Sequence, residues 1–412
     1  MRILFFSSIF PRPYRPNLGI YCFHLCNALA AGGHDVRVVS PRSWLERPRP
    51  LDDSLPDPLP GLRELQVDYP GYFYTPGVLR TAYGAFMWAS VGKQLKRAIA
   101  DFRPDSVVSY WAHPDGQTAV RAAGEAGVPS AVMVGGSDVL LLARKAGGRR
   151  AKIMSVLRAA DAVIAVSNHM RDQLVEYGTP AEKVHVVYRG VDGKLFSPGD
   201  KAAARARLGV PAEGKVLVAI GNLVPVKGLD VLLNAAGQLR GRGVQFRLYL
   251  VGEGASRGAL EAQAASLGLT DVVTFVGAVA QRHLPDWYRA ADLTVLSSHS
   301  EGIPNVLRES MACGTPFVAT RVGGIHEIAD DPANRLVSPA DPAALADAIA
   351  TSLASPSALL PNAAHASTWA DSAQRVVDVM RPLISSVRRG AAATLPATAL
   401  APEPELEGAK PS

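Results

Sequence analysis

The stretch Ser297-Ser298-His299-Ser300-Glu301-Gly302-Ile303-Pro304-Asn305-Val306-Leu307-Arg308-Glu309-Ser310-Met311-Ala312-Cys313-Gly314-Thr315-Pro316 decides how the rest of the chain is read. It follows the apolar run Leu293-Thr294-Val295-Leu296, which reads as a buried strand, and it carries Pro304 ahead of residues able to continue as a helix up to Gly314. Proline suits the first helical position because the N–H it lacks is one the helix leaves unpaired anyway, and Gly314 followed by Pro316 makes a stop. Strand, loop, helix is the predicted order, with the helix starting near Ile303 or Pro304. In an open parallel sheet the free N–H groups of such a helix face the crevice at the strand's carboxyl end, where ligands bind and anions are favoured. Glu301 falls in the loop and Glu309 about one and a half turns into the helix, so one ligand meets both carboxylates only if it spans several ångströms.

A sugar nucleotide has that length. A carboxylate at each polar end accepts hydrogen bonds from hydroxyls, while backbone N–H groups and a cation handle the pyrophosphate between them. The spacing of Glu301 and Glu309 within Glu-Gly-x-Pro-Asn…Glu-Ser-Met-Ala-x-Gly-x-Pro, followed by Gly323-Gly324, resembles the E-x7-E signature of the retaining glycosyltransferases of family 4. The resemblance covers nearly all of Met1 to Ile384. It implies an α/β chain of GT-B fold, with two Rossmann-like domains facing across a cleft and a C-terminal helix crossing back to the first domain. It also implies that Glu309 binds the donor ribose, that Glu301 lies by the donor sugar, and that Gly302, Ile303, Pro304 and Asn305 line the donor site. Solvated helix carboxylates at this spacing are common, so the surrounding glycines and prolines carry the signal.

Composition sets the frame. With 412 residues, 48% of them hydrophobic, the chain has room for two or three cored domains. No apolar run reaches membrane-span length, and Ile3 to Phe10 is followed by prolines, so a first buried strand is expected there in place of a signal peptide. Three cysteines make no disulfide framework, and Cys22 and Cys26, one helical turn apart, suit core packing better than a metal. A cytoplasmic protein is expected. Of the net charge of +6, residues 1–190 carry 23 Lys/Arg against 16 Asp/Glu, leaving 20 against 21 for the remainder. The basic surplus of the first half suits an anionic acceptor or surface, though it is also what a solvated face provides.

Read in order, Met1 to Phe6, Ile20 to Ala30 and Val36 to Ser40 form strand, helix and strand, the opening of a Rossmann-like domain. The loop Ser7 to Gly19 holds neither G-x-G-x-x-G nor a Walker lysine, which removes support for dinucleotide and P-loop readings. Gly19 is a turn glycine or, as the resemblance implies, a place where backbone meets donor phosphates or acceptor. Trp44 to Pro60 reads as a surface loop. Tyr69 to Arg97 interleaves aromatic rings with Arg80, Lys93, Lys96 and Arg97, and a second basic cluster holds Arg144, Lys145, Arg149, Arg150 and Lys152. Both fit a helix at an anionic membrane interface, and both fit a core helix with a solvated end. His113 and Asp138 each follow a short buried strand, and they resemble the family's acceptor-side histidine and aspartate. Lone histidines are often structural.

Gly190-Val191-Asp192 followed by Phe196-Ser197-Pro198 is similar to the family's passage between domains, except that Arg189 stands where asparagine is usual. Gly221-Asn222-Leu223-Val224-Pro225-Val226-Lys227-Gly228 resembles the family motif whose arginine and lysine hold the pyrophosphate. Lys227 is in place, but Asn222 occupies the arginine's position; Arg12, Arg189 or Arg282 are candidates to replace its charge. Gly252-Glu253-Gly254 resembles a glycine turn beside the nucleotide. The expected boundaries are 1–190 for an acceptor-side domain, 191–369 for a donor domain, 370–387 for the returning helix and 388–412 for a disordered tail.

The resemblance implies transfer of a sugar from a nucleotide-sugar donor to a saccharide or lipid-linked acceptor in bacterial envelope or exopolysaccharide assembly, peripheral at the inner face of the membrane. Lys227, Glu301 and His113 are the expected catalytic residues; no metal, no cofactor and no nucleic acid are expected, and there is no Asp-x-Asp. Two rival readings stand beside it: a GT-B sugar-nucleotide epimerase, and a non-catalytic membrane-associated homologue, which would account for Asn222.

Overall fold

The computed structural model describes residues 1–12, 14–16, 18–46, 59, 61–143, 146–355 and 367–393. The first half holds β1 (Arg2–Phe6), β2 (Asp35–Val39), β3 (Arg42–Ser43), β4 (Gln66–Asp68), β5 (Gly71–Tyr72), β6 (Ser106–Tyr110), β7 (Ser130–Met133), β8 (Ala162–Ala165) and β9 (Val184–Val186). The second holds β10 (Val216–Ile220), β11 (Arg247–Val251), β12 (Val273–Gly277), β13 (Leu293–Leu296), β14 (Phe317–Thr320) and β15 (Arg335–Val337). Between them run α1 (Ile20–Ala31), α2 (Tyr83–Phe102), α3 (Gln117–Ala126), α4 (Gly148–Ala159), α5 (Asn168–Glu176), α6 (Lys201–Leu208), α7 (Leu229–Gly241), α8 (Arg257–Ser266), α9 (Leu284–Ala290), α10 (Asn305–Ala312), α11 (Pro342–Ala354) and α12 (Trp369–Ala393).

Short runs such as Val-Leu-Val-Ala-Ile in β10 are apolar on both sides, the composition of a parallel strand covered by helices on each face. The strands assemble that way. One parallel sheet has the order β4-β2-β1-β6-β7-β8-β9 and the other β12-β11-β10-β13-β14-β15. In the first, α1 and α12 cover one face through Leu25, Leu29, Val376 and Met380, and α2 and α3 cover the other through Met87, Leu95 and Ala122. Each such fully buried aliphatic side chain contributes roughly 1.5–3 kcal/mol. Strand order reverses between β1 and β6 and again between β10 and β13, so each sheet opens a crevice at the carboxyl ends of those strands. This is the two-domain GT-B arrangement.

The chain crosses between the sheets twice, at neighbouring places. The Val191 N–H donates to Ser367 O (2.9 Å), and a Cβ on Gly190 would lie 2.2 Å from the Trp369 nitrogen, so only glycine lets the two crossings touch. From there α12 returns onto α1, as expected, but it runs on to Ala393, past the predicted end at 387. The expected tail beyond 393, most of the Trp44 to Pro60 loop, and Arg144 and Lys145 lie outside the described residues. Cys22 and Cys26 are buried in the core on α1. No helix among the described residues is long and apolar enough to cross a membrane.

Candidate active site

At the reversal point of the second sheet the two motifs singled out above are stitched together. His299 N–H donates to Val226 O (2.8 Å) and the Ser297 hydroxyl to Lys227 O (3.1 Å). Gly228 has a φ of +58°, and a Cβ there would sit 2.2 Å from Ser297 O, so the close approach requires glycine. These contacts aim Lys227 at the second loop, where its ammonium donates to Glu301 Oε1 (2.6 Å), which also accepts from the Ser298 hydroxyl (2.7 Å). Asn222, just past β10, is exposed, and its carbonyl accepts from Val224 N–H (2.9 Å).

The helix begins one residue later than predicted. Pro304 is the N-cap, with extended backbone (φ −75°, ψ 124°), and Asn305 is the first helical residue, because Ile303 and Pro304 turn inward and are buried. Within α10, Glu309 is only 7% exposed and accepts a hydrogen bond from the Tyr288 hydroxyl (2.8 Å). Burial pushes its carboxyl up to about 7, against the hydrogen bonds from Tyr288 and Gln281. It borders a cavity of about 240 Å³ that opens between the domains, lined also by His24, Gly221, Gln281, Asn305 and Trp369. The Asn305 Oδ1 is buried there with no hydrogen-bond partner among the described residues, an acceptor left for a ligand.

Gly252 belongs to the scaffold under this cavity: its φ is +147°, and a Cβ would fall 1.9 Å from Gly221 O. Glu253 is not brought to the cavity; its carboxylate is paired with Arg257 and half exposed.

Across the cleft the first domain offers a different wall. Asp138 is fully buried and its carboxylate accepts from the N–H groups of Gly135 (3.0 Å), Gly136 (3.1 Å), Val139 (3.2 Å) and Ala112 (3.3 Å), tying the loop after β7 to the loop after β6. The expected acceptor-side aspartate is thus occupied with backbone. Asp115, which the sequence reading passed over, does the same for the loop after β1 by accepting from Ser8 N–H, and burial pushes its carboxyl up to about 7. Gly19 starts α1 with φ +62°, where a Cβ would meet Ile9 O at 2.3 Å, so its glycine is demanded by packing inside that loop. His113 is 3% exposed, its Nε2 has no hydrogen-bond partner among the described residues, and burial together with Lys152 and Arg149 lowers it to about 4. It is therefore a neutral imidazole. Gly302 meets this wall, 3.7 Å from where a Cβ on Gly136 would stand.

Of the three arginines considered as a substitute for the missing cation at Asn222, two are committed within the first domain. Arg12 is buried and paired with Glu46, and Arg189 donates to the Tyr110 hydroxyl (2.5 Å) while lying over the Tyr21 ring. Arg282 donates to its neighbour His283 (3.1 Å) on the surface.

Two contacts that no motif advertised join the walls. Glu327, from the turn after β14, accepts from Asn168 N–H (3.0 Å), Asn168 Nδ2 (3.0 Å), His169 N–H (2.8 Å) and the Tyr188 hydroxyl (2.7 Å). Burial opposes its charge, yet these hydrogen bonds at the N-terminus of α5 hold its carboxyl below the usual range. His24 on α1 hydrogen-bonds Gln281 of the second domain (3.0 Å) and stacks on Trp369 at 5.3 Å between ring centres.

Residues 18–194 match the family described as Glycosyltransferase Family 4, and residues 214–355 match Glycosyl transferases group 1. A D-inositol 3-phosphate glycosyltransferase 2 of Catenulispora acidiphila is 40% identical over 57% of this chain, a match spanning 58% of that protein's length. The D-inositol 3-phosphate glycosyltransferase of Frankia alni is 34% identical over 81% of this chain and 84% of its own. Among solved structures, a sucrose-phosphate synthase from Thermosynechococcus elongatus superposes over 95% of this chain and 99% of its own, with a TM-score of 0.73 and 24% identity. HepE from Anabaena, in complex with UDP-glucose, does so over 95% and 100%, with a TM-score of 0.66 and 22% identity. With two family descriptions matched in turn along the chain and a relative aligned over most of both chains, this protein belongs to the glycosyltransferases of family 4.

Proposed function

We propose that the protein is a retaining, metal-independent glycosyltransferase that takes a sugar from a nucleoside diphosphate and delivers it to a phosphate-bearing acceptor. The observation that carries the reading is the pairing of Lys227 with Glu301 at one end of a cleft that has Glu309 at the other. A nucleotide sugar satisfies both ends. Its ribose hydroxyls donate to Glu309, its sugar hydroxyls to Glu301, and its diphosphate draws Lys227 away from Glu301. In the transfer the bond from C1 of the sugar to the diphosphate oxygen breaks, and a bond to the acceptor oxygen forms on the same face. The acceptor's proton passes to the departing phosphate oxygen. Lys227 and the N-terminus of α10 stabilise the charge that grows on the leaving group, and Glu301 orients the sugar.

A UDP-sugar is the donor favoured by the likeness to HepE, whose structure holds UDP-glucose. For the acceptor, the relatives named for D-inositol 3-phosphate point to a phosphate, and the first domain has cations to meet one. Lys152 and Arg149 both bear on His113, and Arg80 bears on Arg149; none of the three has a carboxylate partner among the described residues. A lipid-linked saccharide phosphate of the cell envelope suits the same chemistry. The exposed Trp44, Leu45, Phe73, Val78 and Leu79 on that domain would then rest on an anionic membrane surface.

The test is nucleotide release from a panel of UDP-, GDP-, ADP- and dTDP-sugars, with inositol 3-phosphate or membrane extract as acceptor and Glu309→Ala as control. Release from one donor that the variant loses supports transfer; conversion of the donor with no acceptor present favours epimerisation. No release from any donor favours a non-catalytic homologue, the reading to which Asn222 and the committed arginines lend weight.

A further inference from the structure

The second sheet has a cavity at each end. Opposite the cleft, at the amino ends of β10, β13, β14 and β15, lies one of about 250 Å³. Strands of this length put it roughly 17 Å from Glu301 and Lys227. Its lining brings together Lys201, Lys215, Arg289 and Arg335, with Asp292 as the one carboxylate. That concentration is not inherited from composition, because residues 191–412 as a whole hold 20 Lys/Arg against 21 Asp/Glu.

Asp292 pairs with Lys201 and has no capacity left for the other cations. Its oxygens already accept from Lys201 Nζ (2.9 Å), Arg205 Nη2 (2.9 Å) and Val216 N–H (2.7 Å). Arg289 is committed as well, donating to Ser197 O (2.8 Å) and standing 3.5 Å from Asp286. Lys215 and Arg335 remain. Neither has a carboxylate partner among the described residues, and Arg335 uses only its Nε, on the Ser352 hydroxyl (3.1 Å). An ammonium and the fork of a guanidinium lining one concave site are the donors that a phosphate dianion accepts from.

The cavity also touches the donor side from behind. Cys313 and Gly314, which line it, end α10, the helix that carries Glu309. Arg289 follows Tyr288, whose hydroxyl donates to Glu309 and whose carbonyl accepts from the Thr315 hydroxyl (2.7 Å). We propose that this rear cavity binds a small phosphorylated anion through Lys215 and Arg335, and that its occupancy bears on the affinity for nucleotide through Tyr288 and α10. The binding itself is independent of the proposed activity; only the coupling rests on that reading.

Inorganic phosphate and glucose 6-phosphate are the probes, titrated calorimetrically into the full chain. Saturable binding is expected that is retained in Lys227→Ala and weakened about tenfold or more in the Lys215→Gln/Arg335→Gln double variant. Thermal melting shows that each variant is folded; should the double variant not fold, each single variant is expected to weaken binding about threefold. Absence of saturable binding overturns the site, as does binding undiminished in the double variant, which would assign it to the cleft if it disappears in Lys227→Ala and to the first-domain cations if it does not. UDP titrated with and without phosphate reads the coupling: a shift in UDP affinity confined to the wild type sustains it, and a shift that persists in the double variant overturns it. Failure of UDP to bind at all tells against the donor reading and leaves the phosphate result standing.

Discussion

The two walls of the cleft use the same residue types for opposite purposes. On the second-domain wall, Glu301 and Glu309 hold few contacts: Lys227 and Ser298 for the one, Tyr288 and Gln281 for the other. On the first-domain wall, Asp138 gathers four backbone N–H groups, so its lone pairs are taken, and Asp115 reaches back to the Ser8 N–H to hold the loop after β1. A carboxylate surrounded by N–H groups shapes loops; one left partly unsatisfied at a cavity can accept from a ligand. The difference separates positions that build the cleft from positions that use it.

Several measurements would sharpen or break that division. The largest effect is expected for Lys227→Ala, which removes the cation facing the leaving group: kcat/KM for nucleotide release should fall about 10²–10³-fold with little change in melting temperature. A variant that keeps wild-type turnover would move the leaving-group contact elsewhere. Asp138→Ala should do the reverse. Stranding buried N–H groups costs about 3 kcal/mol, read as a lower denaturant midpoint, and activity falls only as far as the fold does.

Glu309→Gln separates site from scaffold by pH. The folded carboxyl lies at about 7, above its ordinary 4.5, so its contribution to stability is complete below the ordinary value and is lost as pH rises through about 7. Glutamine still accepts from Tyr288 without the buried charge. The variant should be more stable than wild type at pH 8, by up to about 2–3 kcal/mol, and the gain should vanish near pH 4.5. Nucleotide affinity of the wild type should weaken as pH drops below about 7. A melting-temperature difference independent of pH would remove burial as the cause.

Glu327→Gln weakens the contact between the domains, by about 1–2 kcal/mol. A larger radius of gyration in X-ray scattering, without loss of helix content, is the expected sign. The smallest effect expected is a gain: Asn222→Arg should raise turnover about three- to tenfold by adding a second cation for the diphosphate. No change would mean that Lys227 and the α10 terminus already suffice.

How much of this was legible in the residues differs from motif to motif. Apolar runs bounded by glycine and proline marked nearly every strand, and the loops after β10 and β13 were picked out before their adjacency was known, because close backbone approach and helix starts leave local signatures. The helix start was misplaced by one residue since proline serves as cap or first residue alike, and only the inward packing of Ile303 decides between them. Gln281, Tyr288, His24 and Glu327 had no signature, as each acquires its role from a partner far along the chain. Glu253 had a motif's position and none of its contacts, because Arg257, one helical turn away, takes its carboxylate.

By itself, then, the sequence determined the alternation of strands and helices, the two glycine-bounded loops and the family, since these depend on periodicity and on which backbone shapes a residue permits. The tertiary structure alone decided which charges are free. Arg12, Arg189 and Asp115 are spent on neighbours distant in sequence and Asp138 in part on Ala112, whereas Glu309 is left buried at a cavity and Lys215 and Arg335 stand without a carboxylate among the described residues. A side chain's charge is written in its chemistry, but its availability depends on what the fold brings within hydrogen-bond distance.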